Sequence, residues 1–233
     1  MNAFILDNSI NSRSDLGLRI TQPPVIPISK QIVNSIPVDG REGTLTILRG
    51  WEDVRFNFRA ALLESGGGDF HNRFREILPT ILNAKTIYFS NDSDVYYNIK
   101  TVQAVPQEQK MMTLYEFALT FNCSPFRYIR NVETITMTSS GTVANIGTIY
   151  SLPKITVYGV GNRTLTINGK PVTLNILSGS LTLDSELKTC YFGNVAQNQN
   201  MQGDFPVFEV GDNNITLGSG ITKIEIEPRW RHI

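Results

Sequence analysis

Apolar and polar residues alternate with a period of two along most of this chain. Thr44 to Leu48 (TLTIL) and Val54 to Phe58 (VRFNF) place successive side chains on opposite faces. Their Thr, Val and aromatic residues suit a pleated surface, so each reads as a strand with one wet face. The same pattern predicts strands at Thr86 to Ser90, Tyr96 to Val102, Leu114 to Asn122, Val132 to Met137, Lys154 to Tyr158 and Thr164 to Ile167. It continues at Val172 to Ile176, Ser180 to Asp184, Pro206 to Val210, Ile215 to Leu217 and Lys223 to Glu227. Short strands separated by Gly, Asn and Asp at a spacing of about ten residues indicate an all-β sandwich or barrel.

Two segments carry sharper local signals. In Thr164 to Ile176 (TLTINGKPVTLNI), Asn168-Gly169 sits between two alternating runs, and both residues accept positive φ, so a tight type I′ hairpin is predicted. In Asp69 to Ala84 (DFHNRFREILPTILNA), Phe70, Phe74, Ile77, Leu78, Ile81 and Leu82 recur at helical spacing, with Asp69 placed as N-cap. Pro79 lacks an amide hydrogen, so the helix is expected to kink or end there. Ser65 to Gly68 forms a flexible entry loop, and the charge-poor run Ser139 to Pro153 is the best boundary between two β domains, 1–138 and 139–233. Asn198 to Gln202 reads as a polar surface loop, followed by a strand over Phe205 to Val210 and a turn at Gly211 to Asn214.

Composition narrows the classes of function. Lys plus Arg and Asp plus Glu balance at 21 each, and the balance holds on either side of Ser139, so no net field draws the chain to nucleic acid or an anionic membrane. Cys123 and Cys190 lack any Cys-x-x-Cys spacing and read as buried free thiols. The N-terminus has no signal-peptide core, and no segment reaches membrane-spanning length, which points to synthesis in a reducing cytoplasm.

Catalytic and metal-binding patterns are sparse. His71 and His232, the only histidines, have no carboxylate or second histidine at ligand spacing. Gly66 to Gly68 and Gly159-Val160-Gly161 lack the context of a phosphate loop. Asn91 to Asp94 resembles the start of a calcium loop but lacks its Gly and closing Glu, so a β-turn is favoured. Glu225 and Glu227 alternate with Ile224 and Ile226, the pattern of the solvent face of an edge strand. Trp51 and Trp230 could stack on a sugar or belong to core or interface. No nucleophile has a base within reach, no cofactor is implied, and the chain is read as not an enzyme.

Taken in order, several segments resemble the distal tail proteins, or Dit family, of long-tailed phages. They are Val38 to Gly43, the aromatic helix leading into KTIYFSNDSDVYYNIK, and ALTFNCSPF at Ala118 to Phe126. In the second half they are Asn145 to Thr148 with Leu152 to Ile155, SLTLDSE at Ser180, MQGDFP at Met201, GDNNI at Gly211 and IEPRWR at Ile226. Each is weak by itself; their succession across essentially the whole chain is specific.

The resemblance implies an N-terminal ring-forming β domain and a C-terminal galectin-like β-sandwich, all-β with one helix. It further implies a hexameric ring at the virion's tail tip, assembled in the bacterial cytoplasm and continuing the channel through which DNA passes. The partners implied are other copies of the chain, the major tail tube protein, a tail-associated lysin or fibre hub, and receptor-binding or baseplate proteins. Lys154 to Ile233 is long enough only for the bare sandwich, without the insertions that add a carbohydrate-binding module in some members. A ring needs an arm that reaches its neighbour, and the proline-punctuated run Gln22 to Pro37 (QPPVIPISKQIVNSIP) is too apolar for a solvated loop. Pro24, Val25, Ile26, Ile28, Ile32, Val33 and Ile36 are therefore expected to form an intersubunit belt, the alternative being a strand pair packed on its own domain. A second reading of the chain is a lectin-like module for host cell-wall glycans.

Overall fold

The computed structural model describes residues 3–40, 42–63, 70–111 and 114–233. Two compact units divide the chain, Met1–Arg127 with Ile233, and Tyr128–His232.

The first unit contains β1 (Phe4–Leu6), β2 (Ile10–Asn11), β3 (Leu18–Gln22), β4 (Gln31–Pro37), β5 (Thr44–Trp51), β6 (Val54–Leu63), α1 (Phe70–Leu82), β7 (Thr86–Phe89), β8 (Asp92–Met111) and β9 (Leu114–Cys123). The main sheet runs β2-β1-β7-β8-β9-β6-β3, and β4 and β5 form a separate two-stranded sheet. Period-two patterning sets the sheet's inner face: Val54, Phe56, Phe58 and Ala60 of β6 are buried, while Arg55, Asn57 and Arg59 between them are exposed. Across the ladder, Phe56 pairs with Phe121 and Phe58 with Leu119, all buried. The strands β7, β8 and β9 separate β1 from β6 in the sheet, yet the rings of Phe4 and Phe58 lie 5.5 Å apart. The sheet therefore curls around its aromatic core, with Phe58 stacked on Phe121 at 5.7 Å.

Helix α1 covers part of this core. Phe70, Ile77 and Ile81 are buried, and Phe74 meets Phe117 edge to face at 4.9 Å. Pro79 does not end the helix as expected; α1 continues to Leu82 because Ile77 and Ile81, on either side of the proline, are held in the core. The proposed cap Asp69 and the entry loop Ser65 to Gly68 lie outside the described residues.

The second unit is a β-sandwich. Its strands are β11 (Ile135–Met137), β12 (Gly141–Asn145), β13 (Lys154–Gly159), β14 (Gly161–Ile167), β15 (Lys170–Ile176), β16 (Ser180–Asp184), β17 (Thr189–Phe192), β18 (Val195–Ala196), β19 (Met201–Gln202), β20 (Gly211–Leu217) and β21 (Ile221–Glu227), while β10 (Arg127–Ile129) and β22 (Arg231–His232) pair with each other outside its two sheets. One sheet runs β11-β21-β13-β16-β17-β18, the other β12-β20-β14-β15-β19. Ile155, Val157, Leu181, Leu183, Ile224 and Ile226 from the first meet Leu165, Ile167, Val172, Leu174 and Ile215 from the second in one core. The β14–β15 hairpin turns at Asn168 (φ 51°) and Gly169 (φ 76°), the conformation predicted for Asn-Gly.

Three local expectations fail here. Pro206 to Val210 is not a strand; Phe208 makes a single bridge to Ser151, and a buried phenyl ring anchors the segment in place of a ladder. The turn expected at Gly211 to Asn214 is the first half of β20, paired residue by residue with β12. Strand β21 is not an edge, since β11 and β13 flank it.

Candidate functional site

Among the described residues of the first unit, the arm between β3 and β6 contributes nothing to the core. It leaves through Pro23, Pro24 and Pro27, whose fixed φ and missing N–H groups disfavour ladder pairing there. Its base is closed by the Ser29 hydroxyl, which donates to the Glu52 carbonyl at 2.6 Å, and by the Glu52 N–H, which donates to the Lys30 carbonyl at 2.8 Å. From there β4 runs out and β5 returns, paired from Gln31↔Trp51 to Pro37↔Thr44. Gly40 (φ 75°) and Gly43 (φ 83°) supply the left-handed residues of the connecting turn.

Every residue of β4 is exposed. Alternation puts Ile32 and Ile36 on one face, with Leu45 opposite Ile36, and Val33 on the other, opposite Leu48. Each face thus carries exposed apolar side chains, Val33 and Leu48 standing beside Ser35, Thr44 and Thr46 on the second, and the one-wet-face reading of Thr44 to Leu48 does not hold: Leu48 is 60% exposed and Leu45 45%. A lone two-stranded hairpin is marginally stable in water, and a contiguous exposed apolar surface marks an interaction site. Of the residues expected in a belt, Val25 (82% exposed) and Ile28 (74%) protrude most, Ile26, Ile32, Val33 and Ile36 are also exposed, and Pro24 is half-buried. Val38, Leu45 and Leu48 add to the same surface and were missed because alternating strands are ordinarily buried on one side.

The other candidate residues serve the architecture. Trp230 is 3% exposed and packs on Phe208 at 5.6 Å, so it is no sugar platform; Trp51, half-buried, meets Phe126 edge to face at 5.8 Å. Glu225 accepts from Lys223 Nζ at 2.7 Å and the Tyr158 hydroxyl at 2.8 Å, and these bonds, the lysine's first, hold its carboxyl below the usual range. Glu227 accepts from Lys154 at 2.7 Å. Both carboxylates are occupied by surface pairing and are poorly placed for proton transfer. Among the described residues, no three of His, Cys, Asp and Glu converge as a metal-ligand set.

The recurrent motifs of the second half acquire physical roles. In Asn145-Ile146-Gly147-Thr148, Asn145 Oδ1 accepts the Gly147 N–H at 2.8 Å, and Asn145 Nδ2 donates to the Ile149 carbonyl at 3.1 Å. The Thr148 N–H donates to the Arg231 carbonyl at 3.1 Å, tying the turn to the chain's end. In GDNNI, Asn213 is fully buried; its amide donates to the Glu209 and Gly211 carbonyls and accepts from the Glu209 N–H and Asn168 Nδ2, at 2.7–2.9 Å. From within the paired strands β12 and β20, these asparagines bond main-chain groups of the flanking segments as well.

No protein-family model matches the sequence, and no curated protein matches it. Among solved structures, the chain is similar to the SPP1 Dit (gp 19.1) protein, described as a paradigm of the hub adsorption apparatus in phages infecting Gram-positive hosts. The TM-score is 0.68 at 13% identity, covering 97% of this chain and 98% of that one. A chain of the phage p2 baseplate in its activated conformation with Sr gives a TM-score of 0.50 at 10% identity, covering 97% of each. The likeness is one of fold, and it extends from end to end of the chain.

Proposed function

We propose that this chain is a structural hub protein at the distal end of a phage tail tube. Copies of it form a hexameric ring, with the β4–β5 arm of each lying against its neighbour. The observation that carries the reading is the arm itself, a hairpin with apolar side chains on both faces, in a chain that shares 97% of its length with a Dit hub fold. Burying such a hairpin between two bodies removes both faces from water, which packing against one surface cannot do.

In this role the chain joins the major tail tube protein to a tail-associated lysin or fibre hub and to receptor-binding or baseplate proteins, while DNA passes through the ring. It acts in the virion and performs no catalysis; its side chains position and seal. Sedimentation of the purified full chain tests the proposal. A ring-sized species is expected, and a monomer at concentrations of about 0.1 mM overturns autonomous ring formation.

A further inference from the structure

Asn168-Gly169 is the only Asn-Gly pair in the chain. A main-chain nitrogen attacks the preceding side-chain amide most readily at such a step, because glycine places no Cβ beside the nucleophile. The β14–β15 turn leaves this step in the open. Gly169 is exposed, and even an added Cβ there would have no neighbour within 4 Å. Crowding therefore gives Asn168 no protection.

Its amide is restrained instead by bonds to β20. Nδ2 donates to Asn213 Oδ1 at 2.7 Å, and Oδ1 accepts the Asn214 N–H at 2.9 Å. Asn213 cannot follow the turn if it moves, being fully buried and bonded to the main chain of Glu209 and Gly211. Both polar atoms of the Asn168 amide are thus fixed on the neighbouring strand, and swinging Cγ back toward the Gly169 nitrogen breaks both bonds. The contact lies at the end of a ladder, since β14 and β20 pair only over Leu165↔Leu217 to Ile167↔Ile215, and ladder ends open before the core does.

We propose that Asn168 is a site of spontaneous deamidation gated by these bonds: it is inert while they hold and converts to aspartate and isoaspartate when the turn parts from β20. In the first step the Gly169 nitrogen loses its proton and attacks Asn168 Cγ. A C–N bond forms, the Cγ–Nδ2 bond breaks, and ammonia leaves with that proton as a cyclic imide closes. Water then adds to either imide carbonyl, and reopening gives an aspartyl or an isoaspartyl link. Water is the only co-reactant.

The conversion runs one way. An aspartate here sets a carboxylate against Asn213 Oδ1, an acceptor facing an acceptor where a donor had been. An isoaspartate adds a backbone atom to a turn whose two residues, at φ 51° and 76°, match the twist of the flanking strands. Neither product restores the bonds to β20, so the second unit keeps a chemical record of having opened at this end.

This inference goes beyond the hub reading and does not depend on it. The full-chain protein is held in mildly alkaline buffer, native and in unfolding urea, and conversion at Asn168 is followed by peptide mass spectrometry, with chromatography separating the two products. Conversion is expected to be about thirtyfold or more slower in the native protein than in urea, because the native reaction waits on opening. Asn213→Ala, its fold checked by near-ultraviolet circular dichroism, removes the partner of Nδ2 and should convert about tenfold faster than native wild type. Asn214→Ala keeps the main-chain N–H that Oδ1 uses and should stay within about twofold of wild type. Equal rates in native buffer and urea overturn the proposal, as does a folded Asn213→Ala that converts no faster than wild type. If Asn213→Ala does not fold, the wild-type comparison decides alone. Failure of the hub reading registers separately, as a monomer in sedimentation with the slow native conversion preserved.

Discussion

Arg229 and Asp184 meet fork to fork, with Nη1 on Oδ1 and Nη2 on Oδ2, both at 2.8 Å. Glu186 also accepts from Arg229, at 3.3 Å, and accepts the Tyr128 hydroxyl at 2.8 Å. The pair joins SLTLDSE to IEPRWR, two motifs more than forty residues apart in the chain, and holds Arg229 at φ 53°. Asp184 is 2% exposed and also accepts the N–H groups of Glu186 and Leu187, so its charge is fully engaged.

Asp184→Ala is therefore expected to destabilise the second unit by roughly 2–4 kcal/mol, at or below the usual range for a broken buried pair because Arg229 keeps 23% of its side-chain exposure. The acid dependence follows. Burial works to raise the carboxyl's pKa, but the Arg229 hydrogen bonds and the Leu187 and Glu186 amides outweigh it and hold it below 3.8. The unfolded chain then takes up the proton first, so this stabilisation is complete above about pH 4 and fades as pH falls through the lower folded value. Urea titrations of wild type and Asp184→Asn should converge as pH drops from 4 toward 2, and a constant difference across that span would contradict the assignment.

Asn213→Ala deletes a buried side chain that bonds the Glu209 and Gly211 carbonyls and the Glu209 N–H. A loss of about 2–3 kcal/mol is expected by chemical denaturation. Asn214→Ala, at an exposed position, should change stability by less than about 0.5 kcal/mol. Equal effects would refute the stabilising role of the Asn213 hydrogen bonds.

Gly147 sits against the Arg231 backbone, where an added Cβ would collide with the Arg231 carbonyl. Gly147→Ala should cost about 1–3 kcal/mol and loosen the C-terminal strand. Faster amide exchange at Thr148, whose N–H bonds to Arg231, is the specific readout.

Burial pushes the Cys123 thiol up to about 12, with the charge of Asp53 adding to it, and the Cys190 thiol up to about 11. Neither is a thiolate near pH 8, and both are buried. An alkylating reagent should leave both unmodified in the native protein and label both in urea. Rapid labelling of either in the native state would show that its surroundings open.

The arm offers a test of assembly that leaves the fold intact. Val33→Asp with Leu48→Lys changes one face of a hairpin whose strands, among the described residues, pair only with each other. The variant should unfold at the same denaturant concentration as wild-type monomer and sediment as a monomer; persistence of rings would rule out that face as a contact.

Much of the architecture was legible because period-two patterning is local. Phe56, Phe58, Phe117, Leu119 and Phe121 announce a buried face from their spacing, and Asn168-Gly169 fixes its turn from two residues. The short strands β1, β2 and β17 escaped because two to four residues carry too little periodicity. Phe205 to Val210 misled because its apolar residues are anchored by Phe208 alone. The arm was visible as an excess of apolar residues between prolines; that both faces of its β5 half are exposed was not, since alternation cannot say whether either face has a cover.

By itself, the sequence determined the β-rich class, the aromatic helix, the Asn-Gly hairpin and a proline-punctuated apolar run at Gln22 to Pro37. Backbone propensity and side-chain period act over a few neighbouring residues, so they can be read in order along the chain. Only the tertiary structure decided which motifs meet. Asp184 with Arg229 and Asn213 with Asn168 are juxtapositions of distant segments, set by how the strands pack.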